Sequence, residues 1–388
     1  MRSLVLALSL ALAWSYPSLG QEQPPSSPSQ LAWRPAQTEN LLHWVLKADE
    51  EAIELPDGIE VDLRAALASP DRQRLDMAAN TAALALLRAY HGKCCGPSLP
   101  RNWHISQTVS DADLRAQLAA ALAQNRLDPM LRASRPNHPH YRALTTAFAS
   151  EPDKARGRLL ALNLARWRSL PLPRTGRYLI VNVAAQELTM WDGQTQVDSW
   201  RVIVGKTSSP TPVFSVEVTG VVINPWWIIP SSIAAEGIGA FVRRSPAAAR
   251  AKGYFYSSRR YRQMPGDNNA LGRMKLVMPN RFTVFLHDTS NRKLFEQDER
   301  RLSHGCVRVD RALQFAATLL SGSGWEQAEV DAVVAAEKTR TLPLSRPVPL
   351  YIAYFTAEPT SDGTVRFLPD IYRRDGVAAL KLPAPRKD

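Results

Sequence analysis

The chain has 388 residues, 45% of them hydrophobic, and a formal net charge of +12. That is enough apolar content to bury a core across two or three domains, and three cysteines at this length exclude a small disulfide scaffold. The basic surface favours anionic partners, but with neither a basic helix nor a zinc-finger spacing, nucleic acid is not expected among them.

Met1-Arg2-Ser3 precedes an apolar stretch over 4–14 and the small or turn residues Pro17-Ser18-Leu19-Gly20. This order of basic, apolar and small residues reads as a secretory signal peptide over 1–20. Its apolar core is about half the roughly twenty residues that a bilayer span needs. No later stretch is long and apolar enough, so the expectation is an exported, soluble protein of a Gram-negative periplasm without a stable membrane span. Residues 21–30 read as a Pro/Ser-rich linker.

Apolar residues then recur at spacings of three and four over 40–51, 75–91, 111–125, 141–149 and 154–168, with Ser110 and Asp113 placed to cap the third helix. Cys94 and Cys95 are adjacent, and a bond between neighbours closes a strained ring, so free thiols or a link to another chain are expected there. Cys306 is expected to be free.

After Pro171-Leu172-Pro173 the pattern changes. Residues 178–183, 187–191, 196–204, 213–223 and 282–287 are β-branched and aromatic, parted by turn residues, and Asp192-Gly193 marks a hairpin. Residues 231–270 interrupt the strands with Ala-rich helical sequence and the run Tyr254-Phe255-Tyr256, which predicts a cap over the sheet. A helix over 310–320 and strands over 348–356 and 364–368 complete the pattern. The expected fold class is α+β, with a helical scaffold domain over 31–170 followed by a mainly β catalytic domain over 175–345. The cap insertion lies at about 231–270, and the C-terminal strands of 346–388 pack on these units.

The chemistry concentrates in Ser303-His304-Gly305-Cys306-Val307-Arg308, with His287-Asp288 upstream. A thiol is a strong nucleophile only as the thiolate, so a base or an electropositive pocket must take its proton. The separation of His287 from Cys306 suits a neighbouring strand, which makes Cys306 the candidate nucleophile and His287 the candidate acid/base, with His304 the alternative base. Gly305 lets the backbone approach closely, so N–H groups around Gly305 and Cys306 could hold an oxyanion, with Ser303 and His304 in support. Arg308 could hold a substrate carboxylate or pair with a structural acid. Trp226 could line a substrate cleft, although aromatic residues at such spacing also serve as packing. His287, His304 and Cys306 supply three zinc ligands where a structural site takes four, so neither a metal nor a cofactor is expected.

The Ser-His-Gly-Cys run with its upstream histidine resembles the L,D-transpeptidase signature. Val204-Gly205-Lys206 with Thr211-Pro212, Asn224-Pro225-Trp226, Asn269-Ala270-Leu271-Gly272-Arg273 and Leu286-His287-Asp288-Thr289 extend the resemblance to the large, scaffold-bearing periplasmic branch of that family. The segment from Arg74 to Trp103 resembles that branch's scaffold, and Val348 to Tyr372 its C-terminal strands. In that branch a peptidoglycan-binding domain usually separates the segment like His138-Pro139-His140-Tyr141 from the one like Leu162-Asn163-Leu164-Ala165-Arg166-Trp167. Here the two lie close together, and the module is missing.

The resemblance implies attack of Cys306 on the diaminopimelate–D-alanine bond of a tetrapeptide stem. D-Alanine would leave, and the acyl group would pass to an amine of a second stem, giving a diaminopimelate–diaminopimelate cross-link in an enzyme acylated by carbapenems. Peptidoglycan stem peptides and cell-wall synthesis proteins are the implied partners. Carboxypeptidase action, D-amino-acid exchange, lipoprotein attachment and a non-catalytic wall scaffold remain as alternatives.

Overall fold

The computed structural model describes residues 31–376, so the predicted signal peptide and linker, and residues 377–388, lie outside the described part. Helices come first: α1 (Pro35–Leu46), α2 (Ile59–Leu67) and α3 (Arg72–Tyr90), then a two-residue strand β1 (Trp103–His104), then α4 (Asp111–Ala123) and α5 (Leu127–Ser134). The Ser110 cap forms as its sequence predicts, with Ser110 Oγ accepting from Asp113 N at 3.0 Å and the Asp113 carboxylate accepting from Ser110 N at 2.8 Å. Helices α2 and α5 escape the sequence pattern because neither N-cap residue, Gly58 or Arg126, supplies a capping side chain, and α5 carries Pro129 in its first turn, where proline is tolerated. Trp33, Leu41, Leu63, Leu86, Leu114 and Leu118 meet in a core of this unit's own. Cys94 and Cys95 are bonded to each other, against expectation. Cys95 takes a left-handed backbone at φ 66°, in the turn after α3, which brings the neighbouring sulfurs together.

Two further helices, α6 (Pro139–Ser150) and α7 (Lys154–Arg168), are joined by the short turn 151–153. The two family-like segments therefore meet directly, with the His138 ring stacked on Trp167 at 4.2 Å between centroids. Tyr141, Leu144, Leu160 and Leu164 pack into the core of the β unit rather than that of α1–α5. A cavity of about 140 Å³ lies at this junction, lined by Tyr90, His91, Arg135, His138, Arg174 and Tyr178 among others.

The β unit contains β2 (Arg177–Asn182), β3 (Glu187–Asp192), β4 (Thr195–Gly205) and β5 (Val213–Ile223), then β6 (Trp227–Ile228). The cap follows as α8 (Ser231–Ile233), a π turn at Ala234–Ile238, α9 (Gly239–Arg244), α10 (Pro246–Ala251), β7 (Tyr254–Ser257) and β8 (Arg260–Gln263). The chain returns through β9 (Met274–Val277), β10 (Leu286–His287), β11 (Arg301–Ser303), β12 (Val307–Val309), α11 (Ala312–Leu320), α12 (Gln327–Ala335) and β13 (Arg340–Ala353) to the hairpin β14 (Ala357–Pro359) and β15 (Val365–Phe367).

Strand order runs β5-β13-β2-β3-β4-β12-β10-β9, and β9 pairs back onto β5, so the sheet closes into a barrel of eight strands. Closure leaves an inside for the alternate apolar residues. Leu179, Val181, Val202, Val204, Val221, Leu276, Leu286 and Val307 fill it. The aromatic run lies within the cap as the strand β7, which pairs with β8 beside β6 in a small separate sheet, with Tyr254 against Phe241 and Phe255 against Trp226. The strand predicted over 282–287 shrinks to its last two residues. The Asn280 side chain bonds Met278 O and Val284 O, each at 2.8 Å, and Thr283 takes φ 52°, which curls 280–285 into a turn.

Helix α7 is tied to the C-terminal segment by polar side chains that are fully buried. Asn163 Oδ1 accepts from Thr356 N at 2.9 Å, and Arg166 pairs with Asp375 at 2.8 Å, with side-chain exposures of 0% and 2%. Burial of such a pair is tolerable only while both members are present. Asp375→Ala should therefore cost about 3–5 kcal/mol in urea denaturation, and adding Arg166→Met should recover much of the loss.

Candidate active site

The cysteine loop joins β11 to β12 and is held from three sides. Gly305 has φ 109°, a backbone region that side-chain-bearing residues rarely enter. Ser303 Oγ accepts from Gly305 N at 3.0 Å and donates to Cys306 O at 2.5 Å, closing the loop on itself. Thr211 Oγ1 donates to Gly305 O and accepts from Gly205 N, both at 2.9 Å. Gly205 must be glycine, because a Cβ there would fall 2.1 Å from Ser209 O and 3.1 Å from the Gly305 Cα. Thr211 is fixed in turn by Arg374 Nη2, which donates to its carbonyl at 2.9 Å, while the Tyr372 hydroxyl donates to Gly205 O. The C-terminal segment thus buttresses the loop, a role that nothing in Tyr372 or Arg374 signals in the sequence.

This geometry corrects the oxyanion expectation. The Gly305 N–H is already given to Ser303 Oγ, whereas the Cys306 N–H has no hydrogen-bond partner among the described residues. Only the second of the two is left to face an oxyanion.

His287 sits on β10, paired with Arg308 of β12 on one side and Lys275 of β9 on the other. Leu286 and Val307 point into the barrel core, so His287 and Arg308 share the outer face, together with Cys306 at the mouth of β12. His287 Nδ1 lies 2.5 Å from Asp288 O. A carbonyl only accepts, so Nδ1 carries the hydrogen and Nε2 keeps its lone pair. Burial, reinforced by Arg308 and Lys275, pushes His287 down to about 3 against the opposing pull of the Asp288 carbonyl, so the ring is neutral over the physiological range. Asp288 turns away from the cysteine, its Oδ2 accepting from Arg273 N at 2.8 Å and from Arg292 at 3.2 Å. Burial likewise pushes the Cys306 thiol up, while a hydrogen bond with the Phe285 backbone, Lys275 and Arg308 pull it back. Arg308 has no carboxylate partner among the described residues, and its Nε is buried without an acceptor.

Two predicted site residues face the cap. His304 points outward, its Nε2 at 3.0 Å from Glu236 Oε2 of the cap and 3.5 Å from Lys206 Nζ, so it joins cap to loop rather than lining an oxyanion pocket. Trp226 is 44% exposed at the entrance to the cap and meets Phe255 edge to face. Lys275 was missed altogether, because a single lysine between Met274 and Leu276 is the ordinary alternation of a half-exposed strand.

Comparison with known proteins gives these positions a frame. A model of the L,D-transpeptidase catalytic domain matches residues 176–334, and a model of a scaffold domain matches residues 28–148. A Haemophilus influenzae protein, provisionally named an L,D-transpeptidase, is 34% identical over 56% of this chain, which spans 48% of that relative's length. Among solved structures, an L,D-transpeptidase from Mycobacterium smegmatis is similar at 12% identity and a TM-score of 0.25, over 45% of this chain and 58% of that one. One from Stackebrandtia nassauensis is similar at 10% identity and a TM-score of 0.22, over 66% of this chain and 96% of that one. The chain thus carries an L,D-transpeptidase catalytic domain over 176–334, with a scaffold domain ahead of it over 28–148.

Proposed function

We propose that the protein is a peptidoglycan L,D-transpeptidase that works through a Cys306 thioester outside the cytoplasm, in keeping with the export signal read over 1–20. The reading rests above all on the placement of His287 on β10, which pairs directly with β12, and of Cys306 just ahead of β12 on the same outer face. Cys306 Sγ attacks the carbonyl between the L-centre of diaminopimelate and the terminal D-alanine, and its proton passes to Nε2 of His287. The Cys306 N–H holds the oxyanion of the tetrahedral intermediate. Collapse expels D-alanine, whose nitrogen takes the proton from His287. The amine of a second stem then attacks the thioester and gives up a proton to His287, and the carbon–sulfur bond breaks as the amide forms, with the sulfur taking that proton back. Arg308, without an acid partner, suits a substrate carboxylate.

Disaccharide tetrapeptides incubated with the protein should yield, by mass spectrometry, a dimer lacking one D-alanine. Monomer shortened by one residue would mean that water is the acceptor. Unchanged substrate, with Cys306 also inert to carbapenems, would overturn the enzymatic reading in favour of a wall-associated scaffold.

A further inference from the structure

The site as built contains a conflict. A buried imidazole held neutral is a weak proton acceptor, and a buried thiol gives up its proton reluctantly. The neighbouring strand bears on both. Val222, Lys275, His287, Arg308 and Ile203 register side by side across β5, β9, β10, β12 and β4. Met274 and Leu276 are fully buried in the barrel, so Lys275 between them faces outward on the same side as His287. Its Nζ lies 3.6 Å from the centroid of the Phe285 ring, and the Phe285 carbonyl accepts from Val307 N, immediately after the cysteine. The lysine side chain therefore leans along the sheet towards Cys306. Among the described residues no carboxylate pairs with Lys275 or with Arg308, although both are partly buried. Two cations withdrawn from water without a counterion are costly, and the anion that would compensate them is the one that Cys306 becomes.

We infer that Lys275, with Arg308, is the electrostatic partner of the Cys306 thiolate, so that positive charge across the sheet, and not the basicity of His287 alone, makes the sulfur nucleophilic. This rests on Cys306 as the nucleophile proposed above. During attack the proton leaves Sγ for Nε2 of His287 while the sulfur electron pair forms the new bond to carbon, and Lys275 stabilises the charge that develops between those events. The charged and titratable groups around the thiol are Lys275 on β9, His287 on β10 and Arg308 on β12. His304, two residues before Cys306, faces Lys206 and the cap residue Glu236.

The test is the rate at which iodoacetamide alkylates Cys306, with the thiolate displacing iodide, followed by mass spectrometry between about pH 6 and 10. Cys94 and Cys95 are bonded to each other, so Cys306 is the thiol left to react. Lys275→Met and Lys275→Gln should move the rising limb of the profile towards alkaline pH by about one unit. The rate at any pH on that limb then falls roughly tenfold, and the curves draw together at the alkaline end. Lys275→Arg should restore most of the rate. Profiles superimposable on the wild type in both uncharged variants would sink the inference, and so would an unshifted profile with a raised KM for tetrapeptide, which would make Lys275 a substrate anchor. A shifted profile in a protein that never acts on tetrapeptide would leave the thiolate pairing standing and remove the proposed function instead.

Discussion

Cys306→Ala is expected to abolish both covalent capture of a carbapenem and release of D-alanine from tetrapeptide stems, while leaving the melting temperature close to that of the wild type. Removing a nucleophile from a preorganised site leaves only binding and oxyanion stabilisation, so turnover should fall by roughly 10⁴-fold or more. The fold should tolerate the change because Cys306 sits at the mouth of β12, outside the barrel core, and the loop is held by backbone groups that alanine retains. Gly305 N–H, Gly305 O and Cys306 O keep their partners in Ser303 and Thr211. The decisive readout is the intact mass after incubation with the drug. An adduct on the variant would move the nucleophile away from Cys306, and with it the whole assignment of the outer face.

What the sequence disclosed follows from how local each feature is. Cys306 and His287 stand out as candidates because a thiol, a glycine turn and two histidines lie within one short run and its upstream strand. The strands β2 to β5 were legible because alternation is a nearest-neighbour pattern. Lys275 was silent, since its meaning comes only from pairing with His287 across β9 and β10, and register is a tertiary property. The same holds for Tyr372 and Arg374, which reach Gly205 and Thr211 across more than half of the catalytic unit's sequence. The turn at 280–285 was misread for a different reason. Its apolar, β-branched residues favour a strand, but the four bonds of the Asn280 side chain and the positive φ of Thr283 outweigh that preference. His304 belongs to the loop read as the candidate site, yet its contact with Glu236 of the cap is set by a residue far away in the sequence.

His287→Ala should slow acylation by about 10²- to 10⁴-fold, the range that a positioned acid/base supplies, whereas His304→Ala should change it only a few-fold through its link to the cap. The two rings differ in their surroundings: one is buried with a fixed tautomer and a free Nε2, the other stands at the surface against Glu236. An inverse ranking in carbapenem acylation rates would transfer the acid/base role to His304. The same burial gives His287 a signature in stability. With a folded value of about 3, it stays unprotonated as the pH drops below 6.5, the value it takes in the unfolded chain. Between those limits the unfolded state binds the extra proton, so folding stability is complete at neutral pH and is lost progressively as the pH falls from about 6.5 towards 3. His287→Gln should remove that contribution and narrow the gap between melting temperatures measured at about pH 7 and pH 4.5. An unchanged gap would mean that the ring takes up its proton in the folded protein, and the neutral, lone-pair-bearing imidazole on which the proposed proton transfer depends would have to be abandoned.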